Sequence, residues 1–192
     1  MSKQIIITIA RESGSGGHFI AEELSKRLKL KLYDKALINE MRFTMIDLEK
    51  YDEKPVNILT SRFEEDVAQK TFDFIKEIAD RGESCIILGR CAEYVLKGNP
   101  NVIKIFIRGD YRAKVKRTMR IYDIQEDGAK EYIKKKDKER KNYHNYHCDF
   151  KWGDSRHYDY CINSSKLGLE KTIALIEEIV KLNIDKQKEK AH

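Results

Sequence analysis

The amino-acid sequence predicts an α/β fold, a parallel sheet of about five strands with helices on both faces. Three observations carry that expectation. Short apolar runs rich in β-branched residues recur along the chain, at Ile5–Ile9, Ser84–Leu88, Val102–Ile107 and Tyr160–Asn163; the first two read as strands buried on both faces. Between the runs lie longer stretches with apolar residues at helical spacing, and this alternation is that of βαβ units. Finally, the first run opens into a turn with three glycines in four residues, Gly14, Gly16 and Gly17.

Taken in order, Ile5–Ile9 is the first strand, and apolar positions 20, 21, 24 and 28 mark a helix lying on the sheet. Leu28–Tyr33 alternates apolar and basic residues, as a short half-exposed strand does, and Asp34 follows it directly. Ala36–Met45 continues in helical period. The charged stretch Met45–Asn57, with Pro55, reads as a loop or a break between helices. Ile58–Arg81 is a long amphipathic helix ended by Gly82. After the strand at 84–88, Gly89-Arg90 sits at its C-terminal end, and Cys91–Lys97 forms a short helix closed by Gly98-Asn99-Pro100. Asp110 is placed to cap a helix over Tyr111–Tyr122, and a lysine-dense helix follows over Asp127–Asn145. Tyr143–Tyr158 reads as an aromatic, histidine-rich loop before the last strand, and Gly168–Leu182 as a closing amphipathic helix. Asp185–His192 is charged and expected to fray.

The turn Arg11-Glu12-Ser13-Gly14-Ser15-Gly16-Gly17-His18 joins a strand to a helix N-terminus. Unpaired amides and the positive end of the helix dipole then converge on one point, which makes a cradle for phosphate. Ser13, Gly14, Ser15, Gly16, Gly17 and His18 are the candidate phosphate-binding positions. The match to the G-x-x-x-x-G-K-[ST] pattern is partial: Arg11 stands at the first glycine, Gly17 at the lysine and His18 at the Ser/Thr. Arg11 is a candidate stand-in for the lysine, or else a surface partner of Glu12. In open α/β sheets ligands sit at the strand C-termini, and the glycine loop, Asp34 and Arg90 all lie there.

With 192 residues the chain is long enough for one domain with a full core. Its 41% hydrophobic and 36% charged content suggests much solvated helix surface. No run approaches a membrane span, the N-terminus enters a core strand at once, and four irregularly spaced cysteines read as reduced thiols, so a cytoplasmic protein is expected. The net charge of +6 is uneven: Lys104–Lys141 holds 14 Lys/Arg against 7 Asp/Glu. Such a block suits either nucleic acid or a group of helices that closes on phosphates.

These residues together resemble the nucleoside monophosphate kinases, and most closely the cytidylate kinase-like family. The likeness runs nearly the whole length. It rests on the divergent loop Arg11–Gly17, on Tyr33-Asp34-Lys35 after the second strand, on Leu88-Gly89-Arg90 and on Asp137-x-x-Arg140. Trp152-Gly153-Asp154 and Tyr160–Ser165 extend it. The resemblance implies a three-layer P-loop kinase fold with a helical lid, spanning 1–185 as one domain. An acceptor-binding insert would lie at about 34–82 and the lid at about 118–158, with 186–192 as a tail. It implies ATP and Mg2+ as cofactors and transfer of the γ-phosphoryl group to a cytidylate-like nucleotide or related small acceptor. Arg11, Arg117, Arg140 and Asp137 become the candidate catalytic residues, and Asp34, Arg90 and Asp137 the candidate acceptor-binding ones. Leu88 stands where an aspartate could help hold magnesium, and Ile133 where the lid carries its first arginine.

Two other classes fit the same residues. One is a nucleotide-binding sensor without catalysis, favoured by the missing lysine and by Leu88. The other is an RNA binder using the basic block with Tyr132, Tyr143 and Tyr146 for stacking; it is the lesser reading because the cations lie on helices beside a phosphate loop. His144, His147, Cys148, His157 and Cys161 could be read as a zinc cluster, but their spacing is not that of paired ligand knuckles, and no metal ligand is assigned. Nucleotides are the expected partners, without a membrane, and a homo-oligomer stays open.

Overall fold

A computed structural model describes residues 4–43 and 56–189. Strand β1 (Ile6–Arg11) leads through the glycine turn into helix α1 (Gly17–Leu28). There follow β2 (Lys31–Tyr33), α2 (Lys35–Phe43), α3 (Val56–Asp80), β3 (Cys85–Leu88) and α4 (Ala92–Val95). Then come β4 (Val102–Arg108), α5 (Tyr111–Tyr122), α6 (Glu126–His147), β5 (Tyr160–Asn163), α7 (Ser164–Leu167) and α8 (Leu169–Glu189). The break expected at Met45–Asn57 falls almost wholly on 44–55, outside the described residues.

The strands form one parallel sheet in the order β2-β3-β1-β4-β5. β1 is central, paired with β3 through Ile6↔Cys85 and with β4 through Ile6↔Val102. Its side chains alternate between two cores, as the period of two requires. Ile5, Ile7 and Ile9 pack with Ile20 and Leu24 of α1 and with Ile173 and Ile176 of α8. Ile6 faces the other way, onto Tyr33, Phe74, Ile75 and Ile78. Each such residue, taken wholly out of water, contributes about 1.5–3 kcal/mol. The result is a rigid three-layer platform, and the turn after β1 emerges at its centre.

Several boundaries move. α6 runs to His147, so the histidine-rich stretch begins inside a helix; His144 is buried there, anchored to Glu93. α8 runs to Glu189 because Ile184, one turn beyond Val180, still packs against the core. β5 is an edge strand with Cys161 exposed, which is why its apolar run is so short. α5 and α6 pack on each other through Val115, Ala129 and Ile133, so Ile133 serves as a core residue of this helix pair.

Candidate active site

The turn after β1 is held by both ends of its backbone. Glu12 donates its amide to Ile107 of β4, and Gly14 and Gly16 adopt left-handed φ of 73° and 83°. Only glycine fits at 14: a Cβ there would lie 2.8 Å from both the Lys114 carbonyl and Thr118 Oγ1. No side chain caps α1. The Ser15 amide turns back to Glu12 O (3.4 Å) and the Ser13 amide bonds Asp137 Oδ1 (2.6 Å), while those of Gly14, Gly16 and Gly17 have no partner among the described residues. Uncapped amides at a helix N-terminus are the donors that an anion needs.

Charged side chains brace this turn from below and from the lid. Lys114 of α5 is buried, with Nζ 3.1 Å from Glu12 Oε2 and 3.4 Å from Asp137 Oδ2. Glu12 Oε2 also accepts from the Gly109 amide (3.0 Å). Arg140 of α6 donates to Ser13 Oγ and lies 3.3 Å from Asp137 Oδ1, and Arg117 donates to the Gly14 carbonyl. The open side of the turn is a cavity of about 790 Å³, walled by Gly14, Gly16, Gly17, Arg117, Arg120 and, at its rim, exposed Phe19 and Ile121.

A second cavity, of about 470 Å³, lies over the ends of β1 and β3. Arg11, Lys35, Arg90 and Arg140 turn their charges toward it, with Tyr143, Trp152 and buried Glu93 in its wall. Gly89, Arg90 and Cys91 all have left-handed φ (77°, 59° and 56°). For the two that are not glycine this costs on the order of 1 kcal/mol each. Arg90 is thereby held over the Tyr143 ring, 5.5 Å from its centroid, with no carboxylate partner among the described residues. Burial, together with Arg140 and Arg90, pushes the Arg11 guanidinium down to about 10. Arg90, then burial, likewise lowers the Lys35 ammonium. Cations that destabilise one another in a cavity make a receptor for an anion. Arg11, Tyr132 and Arg140 line both cavities.

Comparison with known proteins settles what scaffold this is. Residues 6–166 match the model of the cytidylate kinase-like family. The chain belongs to that family. The crystal structure of an uncharacterized protein from Eubacterium ventriosum superposes with a TM-score of 0.79 at 39% identity, over 93% of this chain and 99% of that one. Shikimate kinase from Acinetobacter baumannii, in complex with shikimate, gives a TM-score of 0.55 at 14% identity, over 95% and 96%. Shikimate kinase from Bacteroides thetaiotaomicron gives 0.54 at 12%, over 92% and 98%. None of the curated proteins compared matches. The fold is that of the P-loop kinases, as the strand order and glycine turn indicate.

Within this cytidylate kinase-like chain the structure gathers most of the residues singled out from sequence. Ser13–His18 form the turn. Arg11 is free of Glu12, which goes to Lys114 instead, and its stem fills the place above Gly17: a Cβ there would meet Arg11 Cβ at 2.7 Å. Arg117 and Arg140 reach the turn, and Arg90 the second cavity. Asp34 caps α2 by accepting from the Leu37 amide (2.9 Å), and Asp137 turns to the phosphate turn and away from the second cavity's wall. His18 is exposed beside Glu22, at 3.3 Å. Lys114 and Glu93 were not singled out. Lys114 shares a helix face with Thr118, which is a visible signal, but lysines crowd that helix; Glu93 sits in a short segment with no periodicity to read.

The donor set does not suit magnesium bound directly to protein. Leu88 is apolar and buried, His18 pairs with Glu22, and the carboxylates of Glu12 and Asp137 are engaged by Lys114. Among the described residues no cluster of metal-ligating side chains occurs.

Proposed function

We propose that this protein is a phosphotransferase that moves the γ-phosphoryl group of ATP to a small anionic acceptor, a cytidylate-like nucleotide or a related compound. One observation carries the reading: a backbone phosphate cradle and a cation-lined cavity adjoin, with Arg11, Tyr132 and Arg140 common to both. Phosphoryl transfer asks for in-line placement of two anions and cations at the equatorial oxygens between them. The amides of Gly14, Gly16, Gly17 and His18 would hold the donor phosphates, with Arg117 at their side. Arg90 and Lys35 would hold the acceptor's anion. Arg11 and Arg140 stand between, where charge develops on the group in flight, and so replace the missing lysine. Magnesium would arrive with the ATP phosphates. Closing over the junction as a lid, α5 and α6 would exclude water from it.

A noncatalytic sensor is the second reading, favoured by the Ser13 amide being held by Asp137. A transfer assay separates the two. With labelled ATP and magnesium against a panel of nucleoside monophosphates and small hydroxy acids, a phosphotransferase labels one acceptor class. Measurable ATP binding with no labelled acceptor leaves the sensor. A cytoplasmic setting suits this reading, since ATP and reduced thiols occur there together; among the described residues no helix is long and apolar enough to cross a membrane.

A further inference from the structure

In the wall of the second cavity lies a polar cluster, Glu93, His144 and Cys91, to which the proposed transfer gives no role. Glu93 and His144 are both buried, and His144 Nε2 lies 3.1 Å from Glu93 Oε1, which also accepts from Tyr158 Oη (3.3 Å). The other imidazole nitrogen meets no nitrogen or oxygen partner. The Cys148 thiol lies beside that ring, at the C-cap of α6, where its amide bonds the His144 carbonyl (2.9 Å). Cys148 in turn touches the thiol of Cys91, the buried N-cap of α4 that directly follows Arg90. A separate cavity of about 250 Å³, walled by Asn145, Cys148, Asp149 and Lys151, opens onto Cys148 from outside.

An accessible thiol, an imidazole beside it, a carboxylate that orients the imidazole, and a second thiol in contact are the parts of a reactive-cysteine site. The local charges favour the thiolate on Cys148, while the hydrogen bond to Cys148, then burial, hold the Cys91 thiol protonated until it attacks. Burial pulls the His144 imidazole down, but Cys148 and Glu93 outweigh it and hold it up at about 9. The hydrogen bond from Cys91, then that from His144, bring Cys148 down to about 7 against burial. Cys161, more exposed, has its thiol pushed up by burial of the sulfur, and Cys85 is pushed up to about 12.

We propose that Cys148 is a modification site for hydroperoxides, reached through the 250 Å³ cavity, with Cys91 as its resolving thiol. The Cys148 thiolate attacks one peroxide oxygen; an S–O bond forms and the O–O bond breaks. Sulfur gives up two electrons and becomes a sulfenic acid, and the peroxide leaves as an alcohol or water, taking a proton from the His144 imidazolium or solvent. The Cys91 sulfur then attacks the sulfenic sulfur. An S–S bond forms, the S–O bond breaks, and the hydroxyl leaves as water with the Cys91 proton. The disulfide ties α4, one residue beyond Arg90, to the end of lid helix α6, and a dithiol reverses it.

The test uses the full chain, reduced and then treated with one equivalent of hydrogen peroxide, and reads peptides by mass spectrometry. A Cys91–Cys148 crosslink is expected, lighter by two hydrogens and restored by dithiothreitol. Cys91→Ser should instead give a dimedone adduct at Cys148. Iodoacetamide at pH 7 should label Cys148 about tenfold faster than exposed Cys161 in the same molecule, because thiolate fraction outweighs exposure. His144→Gln should erase most of that ratio; should this variant fail to fold, the ratio in the unaltered protein still decides. Faster labelling of Cys161, or peroxide products lacking the 91–148 pair in folded protein, would overturn the proposal. Neither readout depends on phosphoryl transfer, so its outcome stands apart from that reading.

Discussion

Around the phosphate turn nearly every charge has a partner, whereas across the lid, in the second cavity, Arg11, Lys35 and Arg90 have no ion-pair partner among the described residues. Lys114 is clasped by two carboxylates, Arg140 by Ser13 and Asp137, and Arg117 by a carbonyl. The first region is therefore finished by the protein itself, and its donors are backbone. Under the proposed function the second is finished only when an anion enters. The contrast teaches how a loop without its lysine keeps its shape: ion pairs brace it from outside, and the cations without an ion-pair partner among the described residues line the neighbouring cavity.

If that contrast holds, substitutions in the two regions break different things. The largest effect is expected at Lys114. Lys114→Met leaves Glu12 and Asp137 facing each other at low exposure without compensation, and removing one partner of a buried pair costs about 3–5 kcal/mol. Urea denaturation should show a loss near the lower end, since both carboxylates keep some solvent contact. A change under about 0.5 kcal/mol, of the size usual for surface sites, would mean that the brace is ornamental.

Arg90→Ala should do the opposite, leaving stability nearly unchanged because the side chain lies over the Tyr143 ring and has no ion-pair partner among the described residues. Loss of a charge-assisted hydrogen bond of about 1.5–3 kcal/mol should weaken acceptor-anion binding roughly tenfold to over a hundredfold by calorimetry. A lower melting temperature with unchanged affinity would place Arg90 with the braces. Arg140 belongs to both regions and should matter for rate more than for ATP binding. Arg140→Ala should lower transfer about tenfold or more and raise the share of ATP lost to water, with Lys138→Ala, on an exposed face, as the control. Equal effects would remove Arg140 from the junction.

The smallest effect sharpens the comparison at one atom. Gly17 has no left-handed φ, so its backbone accepts a side chain, but the stem of Arg11 occupies the space. Gly17→Lys alone should weaken ATP binding by about fivefold, as overpacking of about 1 kcal/mol implies. Paired with Arg11→Gly, which removes the Cβ that the new side chain would meet, it should recover that loss. A single substitution that tightens binding would show that Arg11 does not stand in for the lysine.

Much of this was legible in the sequence because it depends on periodicity. β1, α1 and β3 follow from runs whose faces alternate, and the glycine turn announces uncapped amides at a helix N-terminus. Side-chain destinations were less legible. Asp137 and Asp34 both read as acceptor ligands from their motifs, yet one bonds the Ser13 amide and the other caps α2. Pairing of that kind depends on long-range geometry: Asp137 and Ser13 are 124 residues apart. Lys114 was hidden for a related reason. In a helix crowded with cations, only packing against Gly14 distinguishes the one that is buried. His144 lay in a stretch whose histidines suggested a loop, because its carboxylate partner is 51 positions away.

The claim that two anion sites share one pair of arginines is tested most directly by a crystal structure grown with a non-hydrolysable ATP analogue and inorganic phosphate. The account expects the analogue's terminal phosphates on the amides of Gly14, Gly16 and Gly17, a separate phosphate against Arg90, and Arg11 and Arg140 between the two. Phosphates bound elsewhere, or a loop whose amides stay empty while the analogue is bound, would contradict it.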